Sequence, residues 1–428
     1  MCMKWKIRPS KLSGTITIPP SKSHTIRAIL VAALADGTSV IRKPLLHGDG
    51  ASAAGGARAL GAQVTERNGD LEIRGIGKQH DGGSDLFDMG NSGTSTNLFM
   101  AAAALGARQR TFNGDASLRS RPFKPLLSAL KKLGVSYACE SPKGDLPFVI
   151  KGPLRGGKTT VNGVSSQFVS SLLFACPLCE GDSEITVENL HERPYIELTL
   201  WCLQKQGIRV SFSNDFARFH IAGGQAYQPF ETAIPADFSG ATFAACAAAI
   251  AGGELTLTGL DFSDPQGDKG VFEVLKLMGV EVVHGPDGVT VRGGGALCGR
   301  TIDLNAMPDA LPALAVVACV AEGETRFVNV AQVRIKETDR IAVMKEELLK
   351  MGAAVTEHED GLTIRHSALK GAKVKGHDDH RVVMALALAG MIAEGETVID
   401  TAEAATVTYP GFAEDFRKVG AKIDVIEK

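Results

Sequence analysis

"LKKLGVSY", residues 130–137, closes an apolar helix on Gly134 and opens an alternating strand. The same join recurs as "ARALGAQVT" (57–65), "LQKQGIRVSF" (203–212), "LKLMGVEVV" (275–283), "LLKMGAAVT" (348–356) and "FRKVGAKIDV" (416–425). Its glycines, Gly61, Gly134, Gly207, Gly279, Gly352 and Gly420, stand 73, 73, 72, 73 and 68 residues apart. Each fits the left-handed C′ position that ends a helix, and the alternation after it predicts a strand.

A second series interleaves with the first: "ALADGTSVI", "AALGARQRTF", "PLCEGDSEITV", "AIAGGELTLT", "CVAEGETRFV" and "MIAEGETVI", each an apolar helix, a glycine stop and a strand. The turns in "RNGDLEIRG", "GPDGVTVRGG" and "HEDGLTIRH" predict hairpins between the shorter strands. The unit is therefore strand–helix–strand–helix with paired strands, too long for a solenoid of simple hairpins. Six such α/β units in 428 residues predict two globular halves of three units each. The boundary falls near "AIPADFS" (233–239), the first strand, roughly 3–19, is left over, and Pro19–Pro20 and Pro235 mark the crossings as a hinge.

With 44% hydrophobic and 22% charged residues the chain reads as an ordinary soluble protein. A formal charge of −2 gives no reason to expect a nucleic acid or another polyanion, so anion binding must come from local Lys and Arg. Met1 to Pro20 has no signal-type apolar stretch and no run reaches a membrane span, so a cytoplasmic location is expected. Cys176 and Cys179 form a CxxC without a second pair and read as small core residues.

The first, most apolar helix of every unit opens on a polar cluster: "PPSKSHTIRA" (19–28), "GNSGTST" (90–96), "SSQFVSS" (165–171), "ADFSGA" (236–241), "MPDALPA" (307–313) and "DDHRVV" (378–383). Helix N-termini present unpaired N–H groups and the positive end of the dipole, which suits phosphate or carboxylate. Capping alone explains any one cluster. It does not explain Lys22, Arg27, Arg121 and Arg381, since buried cations need anions in reach. "LRSRPF" (118–123) sets Arg119 and Arg121 before a proline able to begin a helix. "RIKETDR" (334–340) is either a solvated ion-pair face or part of a site. "HDDHR" lacks the regular spacing of a metal site, and no GxxxxGK[ST] supports a nucleotide loop. Many cations, neutral hydrogen-bonders and two lone acids, Asp309 and Glu337, describe a site for a multiply anionic substrate with acid–base work to do.

In this order, "PPSKSHTIRA", "GNSGT", "RSRP", "SSQF", "RPYIELTL", "PDA", "RIKETDR" and "DHR", the chain resembles the 5-enolpyruvylshikimate-3-phosphate (EPSP) synthase family of enolpyruvyl transferases over essentially its whole length. The sister transferase acting on UDP-N-acetylglucosamine has a lysine–asparagine start and a loop cysteine. Here the matching stretches are Lys22-Ser23 and "DASLRSR" (115–121). The resemblance implies an α/β fold of two similar domains, each of three βαβαββ units around a pseudo-threefold axis, with the ligand cleft between them. Domain I is then 1–19 plus 235–428, split by the insertion of domain II, 20–234. It further implies a transferase of the shikimate pathway that moves the enolpyruvyl group of phosphoenolpyruvate to the 5-hydroxyl of shikimate 3-phosphate by addition and elimination. The family works with domain closure, without cofactor or metal, on small-molecule substrates only, as a cytoplasmic monomer bound to neither nucleic acid nor membrane.

By motif match, Lys22, Asp309 and Glu337 are catalytic. Lys22, Ser23, Arg27, Ser165, Ser166, Gln167, Tyr195, Asp309 and Lys336 hold shikimate 3-phosphate. Lys22, Asn91, Gly93, Arg121, Gln167, Arg340 and Arg381 hold phosphoenolpyruvate. The chain departs from the family at Asn97, where an arginine is usual, at Glu192, where Ser or Arg is expected beside the substrate phosphate, and at Val407, where some members have a lysine. These departures leave open an acceptor that is a different cyclic alcohol lacking the 3-phosphate, or a ligand-binding relative without turnover.

Overall fold

Among the described residues, six four-stranded sheets carry the six repeats, all in one strand order. In each, a first strand runs parallel to a second, which pairs antiparallel with a third neighbour, and an antiparallel partner of that neighbour lies at the other edge. Leu86–Asp88, Gln109–Asn113, Phe148–Lys151 and Ser136–Cys139 form one such sheet. The computed structural model describes residues 3–139, 145–286 and 288–427.

The local signals act as the periodicity predicts. The glycines that end the outer helices, Gly61, Gly134, Gly207, Gly279, Gly352 and Gly420, have φ of 113°, 96°, 68°, 104°, 87° and 107°. A Cβ is disfavoured there, which is why each join carries glycine. Asn68 and Gly69, at φ 54° and 82°, turn Gln63–Arg67 back onto Asp70–Arg74. Two positive φ values in a two-residue loop match the right-handed twist of the flanking strands.

The chain divides into two compact units, Met1–Pro19 with Pro235–Lys428, and Pro20–Ile234. Each closes its three repeats by borrowing a strand from its other end. In the first, Lys4–Arg8 lies between Thr397–Ile399 and Lys422–Ile426 and completes the last repeat. Leu12–Thr17 then pairs parallel with Gly253–Thr258 and starts the next. In the second, Glu231–Ala233 pairs parallel with Thr38–Arg42 and completes a repeat begun about 190 residues earlier.

Each unit has its own core, built from the apolar helices that open on polar clusters. Phe238–Ala251, Leu311–Val320 and His380–Ile392 pack on one another in the first unit. In the second, Gly93–Ala103 packs on both Lys22–Leu34 and Ser166–Ala175. These helices are apolar on every side because sheets and helices cover them all round. Among the described residues, no helix is long and apolar enough to cross a membrane. Cys176 and Cys179 are buried free thiols at the end of Ser166–Ala175.

Candidate active site

In the unit formed by 1–19 and 235–428, five charged residues meet at the starts of two helices. Arg340 is the first residue of Arg340–Lys350, and Arg381 the second of His380–Ile392. Arg340 is 1% exposed, and its guanidinium is ringed by acids: Nε donates to Asp379 Oδ2 (2.8 Å), Nη1 to Asp309 Oδ1 (2.8 Å) and Nη2 to Glu337 Oε2 (2.7 Å). Asp309 reaches on to Arg381, whose Nη2 donates to its Oδ2 (3.2 Å), while Nη1 donates to Ser239 O (3.0 Å). Arg381 Nε is buried without an acceptor. Burial pulls the Arg340 guanidinium toward neutrality, but Asp379, Glu337 and Asp309 outweigh it and hold it above its ordinary range. Arg381 is likewise raised, burial being overcome chiefly by Asp309 and Asp237.

Asp379 organises this cluster. It caps His380–Ile392 by accepting from Arg381 N (2.9 Å), and accepts from Thr338 Oγ1 (3.1 Å) as well as from Arg340. One carboxylate thereby joins two helix starts. Lys336 sits half-buried beside Glu337. In "RIKETDR" the two readings divide by residue. Arg334 pairs near the surface with Asp339 (2.6 Å) and Glu357 (2.9 Å), whereas Arg340 is interior.

In unit 20–234, Ser21 caps Lys22–Leu34 and Ser92 caps Gly93–Ala103. The ammonium of Lys22 is 3.3 Å from Asp49. Arg121 Nη2 donates to Asn91 Oδ1 (2.7 Å), and Asn91 Nδ2 donates to Asp115 Oδ2 (2.7 Å). Gly93 leaves room for this guanidinium, since a Cβ there would lie 2.6 Å from Arg121 Nη1. The helix after Arg121 begins at Lys124 with Pro125 in its first turn, not at Pro122, so Arg121 and Pro122 lie in a connection after the short helix Ala116–Arg119.

The remaining hydroxyls of "GNSGTST" knit the unit together. Ser92 Oγ donates to Ser95 Oγ (2.8 Å), Ser95 Oγ to Asp49 O (3.1 Å) and Thr96 Oγ1 to Ser92 O (2.7 Å). Gln167 Nε2 donates to Thr94 Oγ1 (3.2 Å), and Asn97 Nδ2 donates to Gln167 Oε1 (2.8 Å). Asn97 is 5% exposed and its Oδ1 has no partner.

The expectation that buried Arg27 needs an anion is corrected. Its Nε donates to Thr199 Oγ1 (3.0 Å), Nη1 to Ser23 O (3.1 Å) and Nη2 to Tyr195 O (3.1 Å), all neutral. Fixed dipoles solvate the cation, and burial lowers its pKa. Arg27 thus ties Lys22–Leu34 to Arg193–Lys205 and holds the backbone at Ser23 and Tyr195.

The third cluster holds an acid. Ser165 caps Ser166–Ala175 by accepting from Gln167 N (3.4 Å). Ser166 N (3.3 Å) and Ser166 Oγ (2.8 Å) both donate to Glu192 Oε2. Glu192 is 1% exposed and has left-handed backbone, φ 55° and ψ 41°, immediately before Arg193–Lys205. A carboxylate therefore sits on the N-terminus of this helix, where the dipole favours it. Arg193 points elsewhere, to Glu197 (3.0 Å) and over the Phe216 ring (4.2 Å). Val407 is half-buried at the end of the short helix Ala402–Val407.

The picture of cations with two lone acids is incomplete: Asp49, Asp379 and Glu192 also contact the predicted site residues. Asp379 was within reach of sequence reasoning, as an Asp directly before an apolar helix is an N-cap signature. Asp49, in "LHGDG", carries no comparable signal.

Comparison with known proteins agrees with this arrangement. The family model for EPSP synthase (3-phosphoshikimate 1-carboxyvinyltransferase) matches residues 7–416. A protein of Acetivibrio thermocellus named 3-phosphoshikimate 1-carboxyvinyltransferase is 49% identical over 425 residues, covering 99% of this chain and all of the relative. One of the same name from Ruminiclostridium cellulolyticum is 50% identical over 421 residues, covering 98% and 99%. The solved EPSP synthase of Acinetobacter baumannii superposes with a TM-score of 0.83 at 28% identity, covering 99% of this chain and 100% of that one. Repeat, strand order and motif residues thus come together in one lineage, and the chain belongs to the EPSP synthase family.

Proposed function

We propose that this protein transfers the enolpyruvyl group of phosphoenolpyruvate to the 5-hydroxyl of shikimate 3-phosphate and releases phosphate. The observation that carries the chemistry is Asp309, shared between buried Arg340 and Arg381, with Glu337 on the same arginine. Arg340 and Arg381 receive the phosphoenolpyruvate carboxylate, Arg381 Nε being a buried donor without a protein acceptor. The incoming carboxylate displaces Glu337 and Asp309 from the guanidinium nitrogens. Ligand binding thereby converts two parked acids into catalytic ones.

Glu337 then gives a proton to C3, which makes C2 electrophilic, and the 5-hydroxyl oxygen bonds to C2 as Asp309 takes its proton. The tetrahedral intermediate breaks its C2–O bond to phosphate while C3 returns a proton to Glu337. The hydroxyl proton ends on the departing phosphate. Lys22, Arg121 and Asn91 with the space at Gly93 receive that phosphate and stabilise its charge. Glu337 is preferred over Lys22 as the C3 acid because the Lys22 ammonium is engaged by Asp49. Ser23, Arg27, Ser165, Ser166, Gln167, Tyr195 and Lys336 position the acceptor. Its domains are 1–19 plus 235–428 and 20–234, and the enzyme works as a cytoplasmic monomer without cofactor or metal.

Phosphate release from phosphoenolpyruvate, measured with shikimate 3-phosphate and with unphosphorylated cyclitols, tests the reading; release only with the latter refutes it. Glu337→Gln should cut turnover by about 10²–10⁴-fold with unfolding unchanged, and wild-type rates would remove Glu337 from the mechanism.

A further inference from the structure

The chain leaves the unit of 1–19 and 235–428 at Pro19 and re-enters it at Pro235, and one side chain brackets the re-entry. Gln266 Oε1 accepts from Phe238 N (3.0 Å), and its Nε2 donates to Ala236 O (3.0 Å). An N–H at one end and a carbonyl at the other fix which way this amide faces. Between the two held residues, Asp237 N donates to Pro19 O (2.8 Å), and Asp237 Oδ2 accepts from Gly240 N (3.1 Å) to cap Phe238–Ala251. Gln266 is itself buried on a braced loop. Its N donates to Asp264 Oδ1 (3.0 Å), and Lys269 Nζ donates to Phe262 O (3.0 Å) and Asp264 O (2.7 Å). The Phe262 ring meets that of Phe238 edge-on, with centroids 5.1 Å apart. This helix start supports Arg381: its Nη1 donates to Ser239 O (3.0 Å), and burial of the guanidinium is opposed by Asp309 and then by Asp237.

We propose that Gln266 is a positioning residue for phosphoenolpyruvate: by holding the backbone on both sides of Asp237 it fixes Ser239 O, and Ser239 O sets the Arg381 guanidinium where it meets the substrate carboxylate. This rests on the reading of Arg381 as a carboxylate-binding group. Phe238 is the first residue of its helix, so its N–H has no acceptor within the helix, and Gln266 supplies one. Arg381 Nε is buried without an acceptor, so its direction depends on what holds the two Nη atoms, Ser239 O on one and Asp309 on the other. Loosening Ser239 lets the guanidinium turn about its bond to Asp309. The carboxylate is gripped in the ground state and in the transition state alike, so the loss falls on KM and spares kcat.

The test is phosphate-release kinetics of the full chain with shikimate 3-phosphate, together with amide hydrogen exchange. Gln266→Met keeps the length of the side chain without its hydrogen bonds. It should lose protection at Phe238 and raise the phosphoenolpyruvate KM about tenfold or more, as a slightly misplaced binding group does. Its kcat and shikimate 3-phosphate KM should stay within about twofold. Gln266→Asn, whose amide is one methylene shorter, should act in the same direction and decides the matter if Gln266→Met does not fold. Thr256→Val removes the hydroxyl pair of Thr256 and Thr290 (2.9 Å) in the same unit, and should lower the thermal midpoint without moving the phosphoenolpyruvate KM. An equal rise in KM there would reduce the effect to general destabilisation and overturn the positioning role, as would an unchanged KM in a folded Gln266 variant. Arg381→Lys separates the two readings. A raised KM in it but not in the Gln266 variants refutes Gln266 alone, whereas an unchanged KM in Arg381→Lys removes the carboxylate group and the role of Gln266 with it. No phosphate release from wild type counts against enolpyruvyl transfer, and the same variants are then judged by calorimetric titration with phosphoenolpyruvate.

Discussion

A guanidinium buried to 1% is tolerated only when its charge is met nearby, and Arg340 meets three carboxylates within 2.8 Å. Asp379 is the one of the three with no exposure at all. Asp379→Ala should therefore lower the unfolding free energy by about 3–5 kcal/mol, combining a partly stranded arginine with a lost helix cap. A shift in the urea midpoint at constant slope would register it, and a loss under 1 kcal/mol would contradict the view of Asp379 as the organiser. Gly93 makes the opposite kind of prediction. A Cβ 2.6 Å from Arg121 Nη1 pushes aside a flexible end, not backbone, so Gly93→Ala should fold normally. It should raise the phosphoenolpyruvate KM roughly tenfold, the effect of about 1.4 kcal/mol, by moving Arg121 off Asn91; an unchanged KM would free Arg121 from that role.

Among elements, the connection Lys375–Asp379 shows how a site is held from behind. His377 and Asp378 are consecutive non-glycine residues at φ 55° and 53°, directly before Asp379. Such backbone costs on the order of 1 kcal/mol per residue and persists only where surroundings enforce it. Here Glu347, buried near the end of Arg340–Lys350, accepts from His377 Nε2 (2.7 Å) and Lys375 N (3.0 Å), while Gly376 N donates to Asp400 Oδ1 (2.9 Å). The helix that starts with Arg340 thus anchors, at its far end, the loop that delivers Asp379. Glu347→Ala should raise hydrogen exchange at 375–379 and lower stability by about 2–3 kcal/mol, a charged hydrogen-bonding group being lost. Unchanged exchange would mean that the loop holds its shape alone. The elements themselves were legible beforehand. Helix starts, glycine stops and hairpins depend on neighbours within a few residues, and Gly134 or the Asn68–Gly69 turn can be read from them. The pairings inside the site were not, because Lys22 with Asp49, Ser166 with Glu192 and Asn97 with Gln167 join positions 26 or more apart. Nothing local marks an acid as the partner of a distant hydroxyl.

At the scale of the molecule, each unit owns a core, and the two differ in continuity. The segment 20–234 contains all the strands of its three sheets, whereas the other unit needs Lys4–Arg8 as an interior strand and Leu12–Thr17 as an edge. A fragment of 20–234 should unfold cooperatively on its own in circular dichroism, and a chain starting at residue 20 should lose the transition of the interrupted unit; a non-cooperative fragment would show that its core is not sufficient. The sequence by itself determined the six repeats, the α/β class, the polar openings of the apolar helices and the family, because periodicity, turn chemistry and motif order are properties of neighbouring residues and survive without coordinates. The tertiary structure decided which of those polar groups remain available. It turned most of "GNSGTST" into internal knitting, gave Arg27 neutral partners, and set Asp309, Glu337, Asp49 and Glu192 on donors of the proposed site. The reason is electrostatic: a buried charge takes whatever counter-group the fold brings within hydrogen-bond range, and that range is defined in space, not along the chain.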